Sequence, residues 1–345
     1  MDWTNQTQPK SVHVYMVSPQ NLDVIIDELQ GVDFSASRIS AAYYTDTRTS
    51  GKIRVVGDNY IRNTFLRVVV EFPGFEQELG TYAVTNDPLT IKSNAHVYDL
   101  SLQSMLWAYA QNECAYILTV KAGASSLTVA SDECDLAHDL SAGRDCKVTS
   151  TIVYQSGVNR LRRMMDLLDM GGNRVDVTGH GVIIAQPPTR SRAPKFTLSL
   201  NDPHGITHGE IRRESDFMSR PNLYGVAYRY SSGGGQQEIG GHAFAQGDIS
   251  YESRGYIVTD LQVVSELSPA TWAYASQLAA QRLAEARESV TWRLDSRFFP
   301  IWEGDYIQLD VGDADPLYSG VRTCLVSAVD IDLQHLDMSL TLKEV

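Results

Sequence analysis

Short β-patterned runs, each closed by a turn residue, set the narrowest limit on what this chain can fold into. The clearest is FLRVVVEFPGFEQELGTYAV, beginning at Phe65. Two runs rich in β-branched and aromatic residues flank Pro73-Gly74. Proline presets its own φ and glycine accepts a positive one, so the pair predicts a tight hairpin turn. Similar runs recur before residue 105 as VHVYMV, IRVVG and HVYDLSL. They return after residue 220 as NLYGVAYRY, GYIVTDLQVV, YIQLDV, TCLVSAVDI and HLDMSLTL. The stretch RFFPIWEGDYIQLD (297–310) predicts another strand–turn–strand, with Pro300 opening the turn and Glu303-Gly304-Asp305 completing it. Many short strands joined by Gly, Asp and Asn turns predict a mainly β protein of barrel or sandwich type, with α+β insertions.

Helical periodicity enters twice. In SGVNRLRRMMDLLDMGG, Val158, Leu161, Met165 and Leu168 recur at helical spacing. Ser156 offers an N-cap, and Gly171-Gly172 can end the helix in a left-handed conformation. RVDVTGHGVIIAQPP then predicts a small hairpin turning at Gly179 and Gly181. The second helix is SPATWAYASQLAAQRLAEARES, near 269–288. Ser268 is the expected cap and Pro269 suits the first helical position. Trp272, Ala275, Ala279 and Leu283 trace one face, whose alanines permit close packing on a sheet. Between the strand-rich ends lie a short helix (SMLWAYAQ), a strand (YILTV) and an Asp-rich loop over 131–146. The expected organisation is a β unit over 1–108, a mixed α/β region over 109–220 and a second β unit over 221–345.

A hydrophobic content of 43% over 345 residues is enough for a real core. The formal net charge of −13 argues against tight nucleic-acid binding, which needs a local excess of Lys and Arg. The nearest basic cluster, Arg160, Arg162 and Arg163, lies in the first helix and reads as a solvated face or a subunit contact. No stretch reaches the roughly 18 apolar residues of a membrane span, and MDWTNQTQPK lacks a signal-peptide layout. The expectation is a soluble protein made in the cytoplasm.

Chemistry is hard to find. Cys114, Cys134, Cys146 and Cys324 form no CxxC pair, and adding His138 gives no compact zinc spacing. They read as reduced structural cysteines. His204 and His208 are four apart, but Pro203 and Gly205 oppose the helix that would aim both rings at one metal. Asp310, Asp313 and Asp315 alternate as a calcium loop can, without the EF-hand pattern. The SSGGG at 231–235 lacks the Lys-Ser/Thr of a phosphate loop. No GxSxG elbow occurs. Carboxylate pairs for glycoside hydrolysis come from distant strands and stay open as an alternative. The expectation is a non-enzyme with no catalytic, cofactor-binding or metal-ligating residue.

The order of elements resembles the tail hub and baseplate hub proteins of tailed bacteriophages, the late-control-D-like group. The likeness rests on a strand-rich N-terminal unit ending in YDLSL and on VNRLRRMMDLLDMGGNRVDVTGHGVII closing at AQPPTRSRAP. It also rests on a C-terminal order of RPNLYGVAYRY, a loop, the Ala-rich helix and the Pro-to-GDYIQL element. It spans most of the chain and is weakest over 109–155. The resemblance implies two tail-tube-like β-barrels, with the 269–288 helix packed on the second. It implies a structural hub in the virion tail tip, a homotrimeric ring that joins a sixfold tail tube to a threefold tip. Its neighbours would be a tail-tube or distal tail protein above and tape-measure, spike or fibre proteins at the tip. Genomic DNA would pass through without specific binding. The chain stops at Val345, just after its last strand, so no C-terminal peptidase, lysozyme or fibre extension is expected. A receptor-binding or spike-type β-protein of a virion or secretion system is the competing reading.

Overall fold

The computed structural model describes residues 10–43, 45–92, 95–148, 151–187, 193–199, 207–215, 220–232, 235–265, 272–286, 290–312 and 320–344. The fold is mainly β. Its first part contains β1 (Ser11–Ser18), β2 (Asn21–Glu28), β3 (Val32–Ala42), β4 (Thr49–Val56), β5 (Phe65–Phe72), β6 (Phe75–Asn86), β7 (Leu89–Lys92) and β8 (Ala95–Ser104). The middle holds α1 (Leu106–Gln111), β9 (Leu118–Val120), α2 (Ser126–Asp132), β10 (His138–Asp139), β11 (Ile152–Tyr154), α3 (Arg160–Asp169), β12 (Arg174–Val177) and β13 (Ile183–Gln186). The last part contains β14 (Phe196–Ser199), β15 (Thr207–Ser215), β16 (Leu223–Ser232), β17 (Gly235–Phe244), α4 (Tyr251–Arg254), β18 (Thr259–Ser265), α5 (Trp272–Ala286), β19 (Val290–Arg297), β20 (Tyr306–Asp310), β21 (Val321–Asp332) and β22 (Asp337–Glu344).

Among the described residues fourteen strands form one sheet that draws on both ends of the chain, in the order β15-β19-β22-β21-β3-β4-β8-β6-β5-β1-β2, with β20, β14 and β7 as branches. Among the described residues its ladders do not close, so the expected pair of closed barrels is not seen as such. One core runs beneath the whole sheet, from Val14, Leu66 and Leu100 to Leu294, Ile307 and Leu340. The hairpin at Pro73-Gly74 forms as expected: Phe72 faces Phe75 across a two-residue turn, with Gly74 at φ +78°. Proline followed by a glycine at positive φ is the chemistry of a type II turn.

The stretch 297–310 is not a hairpin. β19 pairs with β15 and β22, whereas β20 pairs with β14 and β21. The linker crosses the β21–β22 hairpin because its apolar residues are drawn into the core: Phe298, Phe299 and Ile301 are all buried. Its backbone is tied to the hairpin it crosses, Phe298 N to Leu336 O of the β21–β22 turn at 2.9 Å and Gly304 N to Val326 O of β21 at 2.8 Å. A local turn signal cannot reveal that two strands flank a third pair.

The 159–172 helix is capped by Asn159, not Ser156; the Asn159 carboxamide oxygen accepts from Arg162 N at 2.8 Å. It ends as expected with Gly172 at φ +73°. Leu161, Met164, Leu167 and Leu168 line its buried face, with Val158 and Met165 at the margin. β12 and β13 make the expected small hairpin, with the positive φ at Gly181.

α5 packs on β16 and β17 of a separate three-stranded sheet, β17-β16-β18, rather than on the C-terminal strands β19–β22. Ala275 and Ala279 meet Val226 and Tyr228, and Leu283 meets Tyr224, Ala245 and Ile249. The approach is close: a Cβ at Gly241 would lie 2.2 Å from Ser276 N. Trp272 departs from the expected face and is 64% exposed. The expected cap, Ser268 and Pro269, lies outside the described residues.

The two ends of the large sheet repeat one connectivity. In the first, the bent strand β2–β3 is followed by β4, β5, β6 and β8; in the second, β15 is followed by β19, β20, β21 and β22. β3–β4 matches β15–β19, and each ladder has a register shift, between Asp33 and Arg38 or between His208 and Arg212. β4–β8 matches β19–β22, with Ile53 facing Leu100 and Leu294 facing Leu340. β6–β8 matches β21–β22, with shifts after Val84 and after Val326. β5–β6 matches β20–β21, with Leu66 facing Tyr82 and Ile307 facing Cys324. One residue-by-residue equivalence runs through the four ladders, changing by one residue at the β3 and β15 bulges and departing after Val68, whose shift in β5–β6 has no counterpart in β20–β21. β1 and β14 occupy matching places beside β5 and β20, although β14 runs parallel to its partner and β1 antiparallel. The small sheet and α5 are inserted in the β15–β19 connection, where the first unit has only the short turn after Ala42.

Candidate functional site

The described residues converge most where the middle region meets both units of the large sheet. Arg48, in the β3–β4 turn, adopts φ +63° and is buried. It donates through Nη2 to Val175 O at 3.1 Å and through Nη1 to Tyr43 O. Arg174, at the start of β12, lies over the Tyr43 ring at 3.4 Å from its centroid. Its Nη2 reaches Glu303 Oε2 at 3.1 Å. Asp176 completes the group and accepts from Gln186 Nε2 at 2.6 Å. The first sheet unit, the middle region and the β19–β20 linker are thus tied by two guanidiniums and two carboxylates.

Burial dominates the electrostatics of this junction. It raises Glu303 to about 6, an effect that Asp176 reinforces and Arg174 and Arg48 oppose. Burial, with the Arg174 charge, brings Arg48 down to about 10. Asp305 lies beside the cluster and uses every group it has. Its Oδ1 pairs with Lys195 Nζ at 2.8 Å, its Oδ2 accepts from Trp302 N at 2.9 Å, and its carbonyl accepts from Val326 N at 2.8 Å. The Glu303-Gly304-Asp305 turn is therefore a structural anchor. Its sequence signal was that of a polar turn; Arg48 and Arg174 carry no local signal at all.

A second contact holds the β12–β13 turn. Buried Arg67 donates to Leu22 O at 2.7 Å and His180 O at 3.3 Å, while Thr81 Oγ1 donates to Gly179 O at 2.8 Å. His180 Nε2 lies 2.8 Å from Glu78. Gly181 fits against Thr81, Leu22 and Met105.

The residues examined for chemistry do not assemble. Among the described residues no three His, Cys, Asp or Glu side chains converge as a metal site would require. Cys114 is buried, and Cys134 Sγ sits 3.7 Å from Met164 Sδ, its thiol pushed up to about 12 by burial. His138 has both ring nitrogens engaged, with Ser131 Oγ and Leu136 O. Cys146 is partly exposed, and Cys324 is buried in the large core. Asp310 caps its own turn by accepting from Gly312 N. Asp313, Asp315, Pro203, His204 and Gly205 lie outside the described residues, as do Gly233 and Gly234 of the SSGGG stretch.

The basic cluster in α3 is not a solvated face. Arg163 is fully buried between the Tyr116 and Tyr154 rings, donates to Tyr116 O at 2.9 Å and faces Glu133 at 3.8 Å. Arg160 pairs with Asp135, and Arg162 with Asp166 at 2.9 Å. An open cleft lined by Tyr60, Arg62, Asn63, Phe65 and Asp87 contains one carboxylate, and Arg62 holds it at 2.8 Å.

What remains open is strand edge. β7 exposes Leu89 and Ile91, the latter by 67%, and β2 exposes Val24, Ile25 and Ile26. Exposed β-branched edges are templates for pairing unless a partner covers them.

No protein-family model and no curated protein sequence matches the chain. Solved structures do. The tail protein of Neisseria meningitidis MC58 superposes with a TM-score of 0.68 at 13% identity, covering 97% of each chain. The 43 kDa tail protein of prophage MuSo2 from Shewanella oneidensis gives 0.64 at 9% identity, covering 97% of this chain and 98% of that one. Prophage tail protein gp18 of Listeria monocytogenes gives 0.56 at 14% identity, covering 96% and 94%. At these identities the likeness is one of fold, and it extends over the full length.

Proposed function

We propose, from a fold shared with phage and prophage tail proteins, that this chain is a structural hub of a phage tail tip. Three copies form a ring that joins a sixfold tube to a threefold tip and leaves a channel for DNA. The observation that carries the reading is the internal repeat. Two like β units stand in each chain, so three chains present six. Each unit acts as a tail-tube-like barrel. In the first, the chain bends at Leu29–Gly31 so that β2 pairs with β1 and β3 with β4; Leu29 N bonds Val14 O, and Val56 N bonds Gly31 O. In the second, Thr207 Oγ1 donates to Ser199 O at 2.9 Å, linking the start of β15 to the end of β14.

The middle region, locked by Arg48, Arg174 and Glu303, sets the angle between the units. The role is assembly rather than catalysis, in the virion, with tail-tube or distal tail proteins above and tape-measure, spike or fibre proteins below. A rigid, multiply anchored chain suits that role, since a ring closes only if every subunit holds the same angle. Counting copies per tail by reconstruction or quantitative mass spectrometry tests the reading. Three copies are expected; six copies, or one, overturn it.

A further inference from the structure

The internal repeat carries information about the contact between copies. Within one chain the two units meet at a strand joint: Ala328–Asp332 of β21 pairs with Arg38–Ala42 of β3. Ile331 faces Ile39, Asp332 faces Arg38, and Ser40 Oγ donates to Asp330. The joint thus links the fifth strand of the second unit to the second strand of the first. Each partner has a counterpart in the other unit. The matching ladders place Asp87–Thr90 where Val329–Asp332 stands, and Arg212–Ser215 where Arg38–Ala41 stands. Both counterpart edges are open: among the described residues no strand pairs with β7 on the side away from β8, or with β15 on the side away from β19.

We infer that the β6–β7 edge of one copy, Asp87 to Thr90, pairs with β15 of the next copy, at Arg212 to Ser215, repeating the internal joint between chains. The inference rests on the ring reading above and names the surface that closes it. Its register follows from the equivalence. Thr90 lies opposite Arg212, as Asp332 lies opposite Arg38. Leu89 lies opposite Arg213, as Ile331 lies opposite Ile39.

The surface has the character such a joint needs. Leu89 and Ile91 are exposed on the one edge. On the other, Ile211 packs inward against the large core while Arg212 extends into solvent. Because the contact joins two different surfaces, it propagates head to tail and closes into a ring when the angle between units permits. Two-sided exposure of β7 in a lone chain would otherwise be an aggregation hazard.

The test uses tail particles assembled from the full chain carrying Thr90→Cys with Arg212→Cys. Both positions are exposed, and directly opposed residues on antiparallel strands bring Cβ atoms within about 4.5–5.5 Å, near disulfide reach. Oxidation is expected to give species of up to three linked copies on a non-reducing gel, with neither single variant linking. An Ile25→Cys with Arg212→Cys control, on the β2 edge, is expected to stay unlinked. Ile91→Lys is expected to lower ring assembly at least tenfold while leaving the melting curve of the free chain unchanged. Three copies per tail with no Thr90–Arg212 link, or with linking only through Ile25, overturns the joint and leaves the ring reading intact. A single copy per tail overturns both.

Discussion

Arg174 and Glu303 show how much of this molecule depends on individual buried charges. Glu303 is almost wholly buried and its carboxylate bonds to Arg174. Removing one member of a buried pair strands the other, at a cost of about 3–5 kcal/mol. Arg174→Ala should therefore lower stability by about that amount, and Arg174→Ala with Glu303→Ala by less than the sum of the single changes. A denaturant double-mutant cycle measures the difference, and zero coupling would deny the junction its role. The pH response follows from the same burial. Glu303 and Asp166 both titrate at about 6 in the folded chain, above their ordinary values of 4.5 and 3.8, with desolvation as the largest cause. A carboxyl raised in this way stabilises the fold fully below its unfolded value, and that contribution is lost as the pH rises through about 6. The melting midpoint contributed by these groups should rise between pH 7.5 and 5. Glu303→Gln should flatten part of that rise, and an identical slope in the variant would place the effect elsewhere.

At the scale of elements, α5 is the sharpest case. Its alanine face is real, but the surface it covers is the inserted three-stranded sheet. Leu283→Asp should cost roughly 2–5 kcal/mol by placing a charge among Tyr224, Ala245 and Ile249. The loss should fall on the inserted sheet alone, because that cluster shares no residue with the large core. Hydrogen exchange should show β16 and β17 losing protection while β21 and β22 keep theirs; an unchanged β16 would mean the helix face is not buried. Gly241→Val should have a similar local effect, since any side chain there meets the α5 backbone. By contrast, Phe298, Phe299 and Ile301 form a crossing linker whose register is set by β21 and β22. Their sequence gives strand propensity and a turn, but no hint of the pair they straddle.

For the whole molecule, the net charge of −13 bears on the proposed channel. Cationic walls would hold phosphates through counterion release, whereas acidic walls repel the duplex and keep it centred. Acids should outnumber Lys and Arg on the channel face of the ring, and the purified protein should not bind DNA at physiological salt. Replacing several channel acids by lysine should slow DNA ejection while leaving assembly intact. Unaltered ejection, or a neutral or basic channel wall, would remove the electrostatic argument without touching the hub proposal. Elemental analysis of chelator-free protein should find no stoichiometric zinc or calcium.

Local chemistry made the hairpin at Pro73-Gly74, the helix ending at Gly172 and several strands of both sheet units legible from sequence. Each depends on backbone sterics and side-chain alternation within a few residues. β2, β3, β15 and β17 are not legible in the sequence, because NLDVIIDE, VDFSASRISAA, THGEIRRES and GQQEIGGHAF break that alternation with charges, small residues and glycines; pairing, not propensity, holds them extended. The Asn159 cap displaced Ser156 because capping depends on which residue leaves helical geometry, a matter of a single turn. Arg163 read as solvated because three nearby arginines usually are, and only tertiary packing puts one of them between two tyrosines. Two β units are expected from the order of elements, but the residue-level repeat between them is not legible in the sequence. Tyr82 and Cys324 occupy equivalent places with little chemical likeness, since a buried strand position demands that a side chain be accommodated in the core rather than a particular identity. Strand propensity is written locally, but which edge meets which is decided by contacts hundreds of residues apart, and those exist only once the chain has folded.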